Sequence, residues 1–281
     1  MPTQPPRGDP VPGATVIASL TNGSPWTRPL RSKVPRVTPR FWILTLLATT
    51  LGATGADGLS ADLDLGLMAT TAVMSLLLTG TLVSQLSTRR CHPGHYWSSV
   101  ALCSTVGALL ADTLAADLGL GFWAVTVSAA LALAATFAAW HHGEHTVSVH
   151  NVLTRRREAC YWVAVGCAAT LGPSLQDFLS RRLGAGHLTA VLLCAGVIVM
   201  TAVVRPRHAV VAFWAAYVAL WPLGAAISDS LIAGVPSGGL ALPPDLVCAV
   251  LLLAMLVVGG VSSVAPHRSG AGQVGRPTVG P

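Results

Sequence analysis

Four aspartates, Asp57, Asp112, Asp177 and Asp229, occupy the same place in four similar stretches of this chain. The first follows FWILTLLATTLGATGA, a run of sixteen uncharged and mostly apolar residues. A carboxylate there costs free energy unless it has a partner or a task. Thr50 and Thr54 lie seven and three residues before Asp57, on the same helical face; Thr105 and Thr170 lie seven residues before Asp112 and Asp177. In the fourth copy that position is Pro222, which leaves a carbonyl one turn earlier without its usual donor. Carboxylate, hydroxyl and carbonyl oxygens are the ligands of hard cations such as Mg²⁺, Ca²⁺ or Mn²⁺. Four like carboxylates near one axis repel each other, and protons or a cation relieve that repulsion. The chemistry indicated is a proton-coupled cation site, with Arg181 placed to neutralise the copy at Asp177. The competing reading makes each aspartate an interfacial or loop-capping residue. Two facts oppose it. The carboxylates lie near helix C-termini, where the macrodipole disfavours negative charge, and Asp62 or Asp64, and Asp117, are better placed to cap the helices that follow.

The aspartates belong to a longer pattern. Phe41-Trp42, Tyr96-Trp97, Tyr161-Trp162 and Phe213-Trp214 each precede a glycine by ten residues, counted from the tryptophan: Gly52, Gly107, Gly172 and Gly224. The aspartate comes five residues later, and a second glycine nine beyond that: Gly66, Gly121, Gly186 and Gly238. The pattern [FY]-W-x9-G-x4-D-x8-G thus recurs four times without a gap, the mark of a repeat architecture.

The elements that must position these residues are membrane helices. Of 281 residues, 52% are hydrophobic and 10% charged, with a mean hydropathy of +0.63; soluble domains hold roughly 25% charged residues. Leu65–Thr88 and Leu118–Trp140 contain no charge, and each exceeds the ~20 residues that cross a bilayer. Each unit continues into a second apolar segment. The expected fold is all-α, with eight transmembrane helices in four helical hairpins at about 41–62 and 65–87, 96–117 and 120–140, 160–181 and 187–204, 209–232 and 243–265. Residues 1–32 and 266–281 read as disordered cytoplasmic tails around a membrane domain, 33–265, with repeats at about 33–90, 91–155, 156–207 and 208–265. The terminal segments and the loops near Arg89-Arg90, Arg155–Arg157 and Arg205–Arg207 hold 15 of the 17 Lys and Arg; only Arg181 and Arg182 fall on the other side. Basic residues collect on the cytoplasmic side, so both termini are expected inside and all four units point the same way. The net charge of +6 is accounted for by this orientation and by attraction to anionic lipid, so nucleic-acid binding is not needed.

The Lys33-Val34-Pro35 lead-in, FWILTLLATTLGATGAD and the later YW…TxGxxxxD units resemble the bacterial tandem-repeat "membrane-anchored protein" family, over roughly residues 33–265. Its two-helix repeat is catalogued as a domain of unknown function, so the resemblance implies a multi-pass protein of the inner membrane and no settled activity. Two positions depart from the family pattern. Ala53 stands where an acidic residue is expected, and Trp221 precedes Pro222-Leu223-Gly224 where an arginine is usual. These departures bear on substrate choice or on activity itself.

The remaining motif residues have structural roles to weigh. Trp42, Trp97, Trp162 and Trp214 start the odd helices, where indoles anchor at the headgroup level; substrate stacking is the alternative. Gly52, Gly107, Gly172 and Gly224 suit close helix packing, with a local break at Gly172-Pro173 or Pro222-Leu223-Gly224 as the alternative. Six cysteines, Cys91, Cys103, Cys160, Cys167, Cys194 and Cys248, lack CxxC spacing and read as packing residues. Cys91, His92, His95, His141, His142, Glu144, His145, His150 and His208 gather metal-binding residue types on the cytoplasmic side without a recognised site spacing. No nucleophile triad, phosphate loop or cofactor motif is present, so neither an enzyme nor a cofactor is expected. The leading expectation is a transporter of a small cation with the four aspartates in its path. A non-transporting scaffold whose aspartates are structural is second, and a membrane enzyme acting on lipid third. The bilayer is the one partner the composition implies; the sequence leaves oligomeric state open.

Overall fold

A computed structural model describes residues 34–88, 92–149, 152, 154–182, 187–204 and 208–264. The expected terminal tails lie outside the described residues. So do Lys33, Arg89, Arg90, Cys91, His150, Gly186 and the basic loop at 205–207.

Eight α-helices occur among the described residues: α1 (Pro39–Asp62), α2 (Leu67–Ser87), α3 (Pro93–Asp112), α4 (Gly121–Glu144), α5 (Arg155–Arg182), α6 (His187–Val204), α7 (Ala209–Ile232) and α8 (Pro244–Val264). They match the expected segments closely. Thr38 starts α1 by accepting from Phe41 N at 3.4 Å, with Pro39 in the first turn, where its missing N–H costs nothing. A π-helical turn, Thr113–Asp117, extends α3 just past Asp112. There the bond from Leu118 N reaches Thr113 O at 3.0 Å, five residues back, and widens the last turn.

The packing departs from the expected hairpins. The two helices of a unit scarcely touch one another. Instead α1, α3, α5 and α7 form a closed inner ring, each packed on the next and α7 on α1. The outer helices lie one step round: α2 on α3, α4 on α5, α6 on α7, and α8 back on α1. Contacting residues run in the same order along neighbouring inner helices, as in the contacts of Phe41 with Trp97 and of Gly52 with Ser104.

Burial divides the helices in the same way. Ala48, Val100, Ala168 and Ala226, one from each inner helix, are 0% exposed, whereas Leu76, Leu131, Val199 and Leu256, one from each outer helix, are 64–73% exposed. A chain that turns its large aliphatic side chains outward needs an apolar solvent, and lipid supplies it. Among the described residues, the four helical segments long and apolar enough to cross a membrane are Leu67–Ser87, Pro93–Asp117, Gly121–Glu144 and Ala209–Ile232. The ring helices α1 and α5 fall short of that measure because threonines, glycines and charges replace aliphatic residues on faces that meet other helices. Two shorter apolar stretches, Thr189–Thr201 and Pro244–Gly260, lie in α6 and α8. The fold is that of a multi-pass, all-α membrane protein.

The turns explain the second glycine of the pattern. Gly66, Gly121 and Gly238 have φ of +78°, +74° and +82°, where a side chain would clash with the backbone. They redirect the chain from an inner helix toward the outer one.

Candidate functional site

The inner ring is held by small residues at fixed places. A Cβ on Gly52 would strike Ser104, on Gly107 Ala169, on Gly172 Trp221, and on Gly224 Thr49. Each of these partners lies three residues before the equivalent glycine of the neighbouring helix, so one contact is made four times around the ring. Hydrogen bonds reinforce it: Ser104 Oγ donates to Thr49 O at 2.7 Å and Thr49 Oγ1 to Leu220 O at 3.4 Å. The local breaks weighed as the alternative do not occur. α5 continues through Pro173 and α7 through Pro222, because packing on both sides holds the helix where one internal bond is lost.

The aromatic pairs are laid out with the same rotation. Phe41 contacts Trp97, Tyr96 contacts Trp162, Tyr161 contacts Trp214, and Phe213 contacts Trp42, at ring-centroid distances of 5.7, 5.6, 6.0 and 5.5 Å. Trp162 and Trp214 are 5% and 6% exposed, and the Trp214 indole donates to Val147 O at 2.9 Å. Anchoring in a headgroup layer therefore does not extend to these two, which face protein. Trp42 and Trp97 are half-buried.

The four aspartates lie at the far end of the ring helices. Asp57, Asp112, Asp177 and Asp229 are each half-buried, and the carboxylate of Asp57 feels the charges of Asp229, Asp112 and Asp177. Their settings differ. Gln176, 1% exposed, donates from Nε2 to Asp229 Oδ2 at 2.7 Å, joining α5 to α7. On α1 and α7, Thr54 and Ser228 hydroxyls lie 2.7 Å apart. The helical backbone includes Arg181, but its side chain lies outside the described residues.

Each threonine also has a carbonyl acceptor on its own helix. Thr50 donates to Leu46 O at 2.9 Å, Thr54 to Thr50 O at 3.0 Å, Thr105 to Ala101 O at 3.2 Å and Thr170 to Gly166 O at 3.3 Å. All four are buried. Their hydrogens are thereby engaged, and their lone pairs are what they offer to a neighbour.

Two other expectations are corrected. Gly66 and Leu120 occupy the N-cap positions of α2 and α4 with no side-chain cap bond, so Asp62, Asp64 and Asp117 do not cap them. The glycine turns take the place of capping carboxylates. In the His/Cys/Glu constellation, Glu144 accepts from Arg157 Nε at 2.6 Å, tying α4 to α5. Among the described residues no three of His, Cys, Asp or Glu are grouped so as to hold a metal ion, and that statement covers the aspartates as well. The described cysteines, Cys103, Cys160, Cys167, Cys194 and Cys248, are free thiols.

Three features escaped the sequence reading. The left-handed turn glycines were signalled by their recurrence between two apolar runs. Gln176 had no such signal, since the residue before the aspartate is Ala56, Ala111 and Ser228 in the other copies. Nor did Tyr217, which stands one turn beyond its unit's aromatic pair.

Comparison with known sequences agrees with this construction for the first half of the membrane domain. Residues 40–91 and 95–146 each match the family model described as Repeat of Unknown Function (DUF347). The two matches take in α1 with α2 and α3 with α4, less than half of the chain; the third and fourth units rest on the shared spacing. Neither a curated protein nor a solved structure matches.

Proposed function

We propose that this protein is a transporter of a small cation. On this reading it crosses the bacterial inner membrane eight times, as four parallel two-helix repeats with both termini in the cytoplasm. The observation that carries the reading is the meeting of Asp57 with the charges of Asp112, Asp177 and Asp229 at the half-buried end of the inner ring. Rings of acidic side chains select and concentrate cations. Thr50, Thr54, Thr105 and Thr170 add buried hydroxyl oxygens one to two turns below. The looseness of the ring suits a cation that passes hydrated better than one held by three carboxylates at once. A divalent metal moved against protons is the finer form of the proposal.

The test is flux in liposomes containing the full chain, with Mg²⁺, Mn²⁺, K⁺ and protons followed separately. Asp57→Asn is expected to cut flux at least tenfold. Unchanged flux in Asn variants of all four aspartates would sink the assignment.

A second reading, a non-transporting scaffold, draws on the Gln176–Asp229 hydrogen bond, which gives one of the four aspartates a structural use. Asn accepts a hydrogen bond as Asp does, so Asp229→Asn should then leave folding intact and alter no ion movement. Ion movement in the unsubstituted protein that this variant abolishes rules the scaffold out.

A further inference from the structure

At the end of the inner ring opposite the aspartates, three tyrosines meet. Tyr96 on α3, Tyr161 on α5 and Tyr217 on α7 are each 0% exposed. The hydroxyls of Tyr96 and Tyr161 lie 2.6 Å apart, and Tyr161 donates to Tyr217 at 3.5 Å. Tyr217 is also within hydrogen-bonding reach of Tyr96. Since α3 and α7 stand on opposite sides of the ring, a contact between their hydroxyls crosses its middle. The fourth inner helix contributes Phe41, whose ring stacks on Tyr217 at 6.2 Å.

A phenol has one hydrogen to donate and two lone pairs to accept, so three of them in a triangle satisfy one another without water. Around them runs the girdle of aromatic–tryptophan contacts already described, and the level is filled with rings from all four inner helices. Above it the inner surface changes character. Trp221, 2% exposed, has an indole N–H with no hydrogen-bond partner among the described residues, and then come the Thr54–Ser228 pair, Gln176 and the aspartates.

We propose that Tyr96, Tyr161 and Tyr217 form the seal of the inner ring, closing its axis to water and ions on the side away from the aspartates. The seal's use as a gate rests on the transport reading; the barrier itself does not. It predicts that the three phenols help to shield groups just above the triad from that side.

Cys103 reports on this. It lies seven residues beyond Tyr96 on α3, is 2% exposed, and is close enough to interact with Tyr161 and Tyr217. The full chain, with its other five cysteines changed to serine or alanine, is placed in sealed vesicles of either orientation and exposed to a membrane-impermeant cationic methanethiosulfonate. With the triad intact, Cys103 resists modification from the tyrosine side. Tyr161→Ala should speed modification from that side at least tenfold. The double variant Tyr161→Phe with Tyr217→Phe, which removes hydroxyls but no ring, should speed it severalfold, and it serves if Tyr161→Ala does not fold. Rapid modification with the triad intact overturns the proposal, as does an unchanged rate in the folded variants. Cation flux in the same vesicles separates the two readings. Cys103 opened by Tyr161→Ala with no flux in any variant supports the seal and removes the transporter; flux through Tyr161→Ala with Cys103 still protected overturns the seal.

Discussion

The two ends of the inner ring are built from the same four helices and behave in opposite ways. At one end Tyr96, Tyr161 and Tyr217 are fully buried and bonded to each other. At the other, four carboxylates are half-buried, share a sign, and find partners singly, as Asp229 does in Gln176. Aromatic rings fill space and neutral hydroxyls satisfy each other in a low-dielectric interior, so that end can shut. Like charges cannot pack in this way, so the other end stays within reach of water or a counter-ion. A near-fourfold sequence pattern thus puts buried aromatic rings at one end and half-buried carboxylates at the other.

The comparison presumes a rigid ring linking the ends, and the largest effect comes from breaking that link. Gly107→Val and Gly224→Val drive a side chain into Ala169 and Thr49, and each should cost about 3 kcal/mol or more, read as loss of monodisperse protein and early unfolding in detergent. Gly80→Val on α2, where no atom lies within 4 Å, should leave both measures unchanged. Next in size, Tyr161→Phe removes the hydroxyl shared by its two neighbours and should destabilise by about 1–2 kcal/mol in the same assay. Asp57→Asn should destabilise less than Tyr161→Phe, since it relieves repulsion at the open end; a larger loss than Tyr161→Phe would show that the aspartates, not the tyrosines, hold the bundle.

Smaller effects sharpen the contrast. Trp221→Phe, midway between the ends, deletes a buried N–H that has no partner among the described residues and should raise stability by up to about 1 kcal/mol. Glu144→Gln breaks the ion pair to Arg157 just outside the tyrosine end, where the side chains are 16% and 24% exposed. Its cost should stay below about 1 kcal/mol and shrink with added salt.

The sequence made the helices legible because apolar length and the spacing of Trp, Gly and Asp are local properties. It also made legible that the aspartates are equivalent. What it could not convey was the rotation: that Gly52 meets Ser104 and Phe41 meets Trp97 is a relation between units, and no spacing within a unit encodes it. Trp162 and Trp214 were misjudged for that reason, since an indole at a helix start reads as an anchor until the neighbouring helix that covers it is known. The bonds of the threonines were hidden for a related reason. Seven-residue spacing puts Thr105 on the face of Asp112, yet a hydroxyl buried in a helix finds its nearest acceptor one turn back.

The placement of each outer helix against the next inner one has a consequence for how such a molecule is made. No single pair of helices is a self-sufficient piece: during synthesis α1 waits for α8 before its outer face is covered. A chain cut after α4 would lack a partner for α4 at one edge and for α1 at the other. Two such halves would supply one another with what each is missing. Joined by insertion side by side, separately made halves should therefore reassemble, and the closed circle has no point at which its seam must lie.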